Sequence, residues 1–273
     1  MNPRALMDKY QARVASFYDG DAAWVRAKAN YVDVSHPESV KLVGDLEHIM
    51  DACIQEHGWV AASSNNVYWN ATEGPISVMR APYPGGRKFL TFVNPKITLT
   101  SDEPVILYEA CASLRKNDIY MVSRSPSVKV EGWVLDKKGW ASGEKIFREA
   151  RMSYGPSVAK GRMADAGIKA SVLVQHEYDH LQGVLLLDRS NVTEMFLPQK
   201  EMRADLSTDE AILLMSAIYE AQKPLIDSCL IRGEEKGLGN GWAYEVPEDK
   251  VPADLGKRHE AARRMLLDNR ARK

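Results

Sequence analysis

The order of elements in this 273-residue chain predicts an α+β fold. Two observations carry that expectation. Between about residues 76 and 135, short stretches rich in β-branched and aromatic residues are separated by turn-forming residues, as in antiparallel hairpins. A single helix then follows, apolar on nearly every side through Ala170-Ser171-Val172-Leu173-Val174, with no alternating βαβ series around it.

Taken in order, residues 1–20 read as a loose helical lead-in. Over 40–57 the apolar positions Val40, Val43, Leu46, Ile49, Met50, Cys53 and Ile54 fall at helical spacing, and Gly58 supplies a C-cap. His48 and Asp51 are expected on the surface of that helix; His57 lies close to the next loop. Residues 59–67 form a small-residue loop running into strands. Strands are expected at 76–79 and 88–93, joined by Pro82-Tyr83-Pro84-Gly85-Gly86, with Asn94-Pro95 breaking the second. The β region continues at 97–100 and 105–108, and 127–135 alternates with Val128, Val130 and Val134 on one face. A hairpin turn is expected at Asp136-Lys137-Lys138-Gly139, and 140–164, lacking any period, reads as an inserted loop. Asp165 is placed to cap the apolar helix and Gly183 to end it. Residues 184–187 read as a short buried strand. Further on, Ser207-Thr208-Asp209-Glu210 is a capping box opening a helix that Pro224 breaks, and 233–241 is a glycine-rich loop. From Pro252 a last, strongly basic helix is expected, with seven Lys or Arg against Glu260 and Asp268 between 257 and 273. The expected organisation is a main domain over 1–195 and a helical C-terminal extension over 196–273.

Hydrophobic residues make up 45% and charged residues 27%, an ordinary soluble balance. A formal charge of −1 gives no global attraction to nucleic acid or anionic membrane. Three scattered cysteines make no disulfide framework and point to a reducing compartment. No apolar run approaches the roughly 18–20 residues of a membrane span. The first twenty residues, with Asp8 and Asp19, resemble no signal peptide, so the cytoplasm is expected.

The chemistry concentrates in Gln175-His176-Glu177-Tyr178-Asp179-His180-Leu181-Gln182-Gly183, an HExxH pattern. On a helix each residue turns by about 100°, so His176 and His180 stack on one face with Glu177 beside them. Two imidazoles so placed can hold one divalent ion, and the carboxylate can take a proton from water. A solvated face carrying two chance histidines is the bland alternative. It fits poorly with a buried helix, since each unmatched buried polar group costs roughly 2–7 kcal/mol.

A tetrahedral ion needs a third protein ligand. A histidine six residues after the second is excluded, because Leu186 stands there. A downstream glutamate, Glu194 or Glu201, or an upstream thiolate, Cys111, remains. Cys53 on an amphipathic helix and Cys229 in an apolar run read as core residues. At this point the chain resembles the peptide deformylase family, which carries a GxGLAAxQ loop, an EGCLS segment and a QHExDHLxG helix. The third is complete in Gln175 to Gly183, and the second appears as Glu109-Ala110-Cys111-Ala112-Ser113. Phe92-Val93-Asn94-Pro95-Lys96-Ile97 and Leu187-Asp188-Arg189 resemble flanking family patterns. The resemblance runs from about Leu42 to Arg189.

The resemblance implies antiparallel strands wrapped around a central HExxH helix. It implies Cys111, His176 and His180 as metal ligands, and ferrous iron as the usual metal, with zinc or nickel in its place. Glu177 would be general base and acid toward water attacking a formyl carbon, and the backbone N–H of Ala112 would face the oxyanion. Gln175 would support the ligands, with Glu109 a structural carboxylate nearby. The substrate would be a formylated peptide or a small formylated amine. The basic end offers a ribosome contact, as in some bacterial members of the family; a solvated charged face is the plainer reading.

Departures from the family pattern lie in the first two motifs. Val60-Ala61-Ala62 matches L-A-A, but Trp59 replaces a glycine and Ser64 stands where the glutamine that donates to the oxyanion should be. Losing one such donor costs on the order of 10²–10³ in rate. Ser64 could act only through water or a moved loop; Asn65 or Asn66 could supply an amide if the loop shifts register. Ala110, Ala112 and Arg115 replace glycine, leucine and proline of the second motif, and the Cys111–His176 spacing exceeds the family's. Two other functions stay open: a degenerate, non-catalytic metal-binding protein, and an HExxH peptidase using Glu194 or Glu201.

Overall fold

A computed structural model of the chain describes residues 3–83, 89–114, 118–136, 146–155, 163–190 and 208–245, with scattered positions between 247 and 264. In chain order the elements are α1 (Pro3–Tyr10), β1 (Arg13–Val14), α2 (Ala22–Arg26), α3 (Pro37–His57), β2 (Ala62–Ser63), β3 (Val67–Tyr68), β4 (Val78–Pro82), β5 (Phe89–Leu99), β6 (Val105–Glu109), β7 (Tyr120–Arg124), β8 (Val128–Asp136) and β9 (Ile146–Tyr154). Then come α4 (Met163–Leu181), α5 (Leu186–Arg189), α6 (Thr208–Asp227), β10 (Leu230–Arg232) and β11 (Trp242–Tyr244). Helices and antiparallel sheet are thus both present, as an α+β fold requires. The chain forms two compact units: Met1–Val105 with Ala112–Arg115 and Arg124–Leu185, and Ile106–Cys111 with Lys116–Ser123 and Leu186–Lys273.

The first unit is built on a five-stranded antiparallel sheet of order β2-β4-β5-β8-β9. α3 starts with Pro37, whose fixed φ suits a first helical turn, and ends at Gly58 in the left-handed region (φ 69°), as the spacing predicts. Its Glu47 and Asp51 grip Arg80 of β4, at 2.9 Å and 2.7 Å, and Thr91 of β5 joins the cluster. Asp51 is therefore an ion-pair partner and not the plain surface residue expected; pairing a guanidinium that is otherwise buried explains it.

Two further expectations are corrected in this unit. Asn94-Pro95 does not break β5: the register shifts between Val93 and Lys96 and the strand runs on to Leu99. Asn94 takes a left-handed φ of 51° and pairs with the backbone of Val32 in both directions, at 2.9 Å and 2.7 Å, so a bulge absorbs the proline. The segment read as an inserted loop contains β9, paired with β8 from Val128↔Tyr154 to Asp136↔Ile146. β9 is an edge strand, mostly exposed and carrying Arg148, Glu149 and Arg151, so it needs no apolar alternation. The hairpin turn at 136–139 falls largely outside the described residues. Against the sheet packs α4: Ala170, Val174 and Leu181 join Met79, Ala81, Phe92, Val128, Val130 and Tyr154 in one core.

The second unit gathers around α6. Leu214, Met215, Ile218, Tyr219 and Ile226 pack with Ile119 and Met121, beside and within β7, and with Tyr244 of β11. Pro224 lies inside α6 and does not break it. Lys223 donates to the Tyr219 hydroxyl (2.6 Å) and to Asp227 (2.7 Å), clamping the turn from which the proline removes a backbone bond. The capping residue Ser207 falls outside the described residues. A short strand is expected over 184–187, but 184–185 have no regular structure and Leu186–Arg189 form the helical turn α5. Its buried Arg189 donates to the carbonyls of Trp242 (3.2 Å), Leu238 (3.2 Å) and Asn240 (3.1 Å), and thereby orders the glycine-rich loop between β10 and β11. Of the expected basic helix, 260–264 is helical and most of the remainder lies outside the described residues.

Candidate metal centre

The helix carrying the centre ends where its sequence requires. Gly183 is left-handed (φ 74°), and its N–H bonds to His180 O (2.9 Å) while that of Val184 reaches Asp179 O (2.9 Å). These are the two bonds of a Schellman motif. A Cβ at Gly183 would lie 2.2 Å from the carbonyl oxygen of Arg26, so only glycine fits. The carbonyls satisfied are those of Asp179 and His180 themselves, which fixes the backbone of the ligand-bearing turn. Asp165, expected as the N-cap, lies inside the helix, which already begins at Met163.

One turn earlier, Gln175 is locked peptide-fashion onto Ser125: its Oε1 accepts the Ser125 N–H (3.0 Å) and its Nε2 donates to Ser125 O (2.8 Å). Asp179 receives Arg124 at 2.5 Å, both side chains being buried. Breaking one side of such a pair typically costs 3–5 kcal/mol, so it holds the helix firmly in register. With those anchors set, the Nε2 atoms of His176 and His180 face each other at 3.2 Å, ring centroids 5.0 Å apart and planes 63° apart. Two nitrogens about 2.0–2.1 Å from one ion at a tetrahedral angle stand roughly 3.3 Å apart, so the spacing suits a shared divalent ion. Cys111 completes the group: ligand atoms of Cys111, His176 and His180 all lie within 4.8 Å of one another, and all three residues are buried. The backbone of Cys111 runs directly into Ala112 of the first unit, about 3.8 Å away across a peptide bond. A soft thiolate with two imidazoles fits iron or zinc. Glu177, also buried, occupies the same turn as the imidazoles.

The remaining expected site residues are placed as follows. Ala112 is exposed between buried Cys111 and Ser113. Glu109 is half-buried at the end of β6. Ser64 is fully buried, and its hydroxyl donates to Ile76 O at 2.5 Å. The Asn65 amide donates to Ala27 O (2.8 Å) and that of Asn66 to Ser113 Oγ (3.0 Å). Trp59 is half-buried, its ring 5.6 Å from that of exposed His57. Glu194 and Glu201 lie outside the described residues. Sequence reasoning missed Arg124, Ser125 and the Asn66–Ser113 bond. A signal for the first was present: an arginine closing the apolar strand Tyr120-Met121-Val122-Ser123 calls for a buried carboxylate.

A buried Cys-His-His cluster beside a glutamate defines the class, a candidate metallohydrolase centre on an α+β frame. Comparison with known proteins makes this particular. Residues 16–146 match the family model described as polypeptide deformylase. Peptide deformylase of Zymomonas mobilis is 29% identical over 136 residues, 46% of this chain and 64% of the relative. That of Treponema pallidum is 36% identical over 101 residues, 36% of this chain and 46% of the relative. The chain is thus similar to peptide deformylases over about half of its length, and spans less than two thirds of the length of these curated relatives. Among solved structures, the class I type b peptide deformylase of Acinetobacter baumannii aligns at TM-score 0.46 and 23% identity, covering 64% of this chain and 97% of that one. The Thermotoga maritima peptide deformylase aligns at 0.44 and 20% identity, covering 67% and 97%. The family match begins upstream of Leu42 and stops at residue 146, so the HExxH helix stands on its own residues.

Proposed function

We propose that this chain is a metal-dependent hydrolase that removes an N-formyl group, from formylmethionyl peptides or nascent chains. The observation that carries this reading is the convergence of one thiol and two imidazoles beside buried Glu177. A divalent ion held by Cys111, His176 and His180, Fe²⁺ in the first instance and Zn²⁺ or Ni²⁺ in its place, would polarise the formyl carbonyl and acidify water. Glu177 takes the proton of the attacking water and delivers it to the departing amine. A bond forms between water oxygen and formyl carbon, the carbon–nitrogen bond breaks, and formate and a free amine leave. The Ala112 N–H donates to the oxyanion, while Gln175 and the Arg124–Asp179 pair keep the helix from shifting.

Formate release from a formyl-methionyl peptide, measured anaerobically with Fe²⁺- and Ni²⁺-loaded protein, tests the proposal. Turnover lost in Glu177→Ala is the expected result. Equal rates for the two proteins on several formylated substrates would overturn it. One observation favours a non-catalytic metal-binding reading, namely that Ser64 spends its hydroxyl on Ile76 O. Bound metal without formate release would establish that reading. A peptidase using Glu194 or Glu201 would keep its metal in Cys111→Ala, whereas the deformylase reading requires its loss.

In this reading residues 1–195 form the catalytic part and 196–273 an extension whose basic end contacts the ribosome. Deleting 251–273 should weaken ribosome co-sedimentation, most visibly at low salt; unchanged pelleting would remove that contact. The proposed setting is the cytoplasm; among the described residues no helix is long and apolar enough to cross a membrane.

A further inference from the structure

Cys111 follows the end of β6 and lies outside any helix or strand. Two residues on, Ser113 is fully buried and held twice. Its carbonyl accepts the Phe17 N–H (2.9 Å), and its hydroxyl accepts the Asn66 amide (3.0 Å). Asn66 is itself fixed from its other end: Oδ1 accepts the N–H (2.8 Å) and the hydroxyl (2.7 Å) of Ser63. Two donors on Oδ1 leave only the NH₂ end for Ser113, which settles the orientation of the amide. Ser63 belongs to β2 and is paired with Met79 of β4. A line of buried hydrogen bonds therefore runs from the sheet through Ser63 and Asn66 to Ser113, and from there along two residues of backbone to the thiol.

We propose that Asn66 is a positioning residue for the metal centre, holding the Ala112–Ser113 segment through Ser113 Oγ so that the Cys111 thiolate meets His176 and His180. The amide that could have faced a substrate is thus engaged in shaping the ligand set. This inference rests on the metal-centre reading above. Outer groups that orient metal ligands typically contribute 10–100-fold in affinity. Asn66 and Ser113 act as one unit, so removing both removes no more than removing either.

The test is Co²⁺ titration of the full chain and of Asn66→Ala, Ser113→Ala and the double variant, followed by the thiolate-to-cobalt charge-transfer band, with thermal unfolding of each metal-free protein alongside. Each single variant should bind Co²⁺ at least tenfold more weakly with a diminished band, and the double variant no more weakly than either. Ser113→Ala removes a single oxygen, so it keeps the test intact if Asn66→Ala does not fold. Affinity and band unchanged in Ser113→Ala, or losses that simply add in the double variant, would overturn the positioning role while leaving the metal centre standing. No Co²⁺ binding by the unaltered chain would overturn the centre and this inference with it.

Discussion

The last turns of α4 and the loop around 57–66 illustrate two ways a family pattern can be carried. In the helix every motif residue is present, and three of them have a visible structural task. Gln175 locks onto Ser125, Asp179 onto Arg124, and Gly183 closes a Schellman motif that no other residue could occupy. In the loop the glutamine is absent, and the polar residues in its place are turned inward: Ser64 to Ile76, Asn65 to Ala27, Asn66 to Ser113. The helix motif and residues 61–66 of the loop are both buried and hydrogen-bonded, so burial does not separate them. The difference is that the helix directs two imidazoles toward a common point, whereas the loop spends its polar groups on holding the fold.

The sharpest way to break that comparison is at Gly183. Gly183→Ala places a methyl against the Arg26 carbonyl in a left-handed backbone, which alone costs about 1–2 kcal/mol. With the clash added, the total exceeds about 2 kcal/mol, and metal affinity and thermal midpoint should fall together. Next comes the buried pair. Arg124→Met or Asp179→Leu alone should cost about 3–5 kcal/mol, and the double replacement distinctly less than the sum, because the penalty lies in the stranded charge. Additive losses in denaturant titrations would show that the two residues act separately. In the loop, Ser64→Ala should cost about 1 kcal/mol in stability, the worth of one buried hydrogen bond, without changing formate release per folded molecule. A large drop in kcat at unchanged stability would return Ser64 to the chemistry.

The smallest effect belongs to a pair outside the site. The guanidinium of Arg13 holds the Asp21 carboxyl below its usual value of 3.8. A lowered native pKa stabilises above the unfolded value, and that contribution disappears as pH falls through the native one. Asp21→Asn should therefore be less stable than wild type at neutral pH, and the gap should close below about pH 4, as followed by acid titration of the thermal midpoint. A gap that persists at lower pH would assign the effect to something other than charge.

How far the sequence was legible follows from the same physics. A helix that must bury polar groups announces them by spacing, so His176, Glu177, His180 and the Gly183 cap could be read directly. Edge strands are weaker signals: β9, mostly solvent-facing, offers no clear alternation and reads as a loop from sequence alone. Pro95 and Pro224 looked like breaks because their local compensation, the Asn94–Val32 pairing and the Lys223–Tyr219–Asp227 clamp, comes from tertiary structure and side chains. The inward turn of Ser64, Asn65 and Asn66 was illegible for a related reason. An asparagine's composition does not state which carbonyl or hydroxyl its amide will meet.

Cys111, His176 and His180 are proposed to hold one ion between them. Metal analysis of the purified chain after loading with Co²⁺, alongside Cys111→Ser, tests it most directly. One equivalent should bind with a thiolate charge-transfer band, and Cys111→Ser should lose that band and bind much more weakly. A bound ion whose spectrum and affinity survive the cysteine's replacement would contradict it.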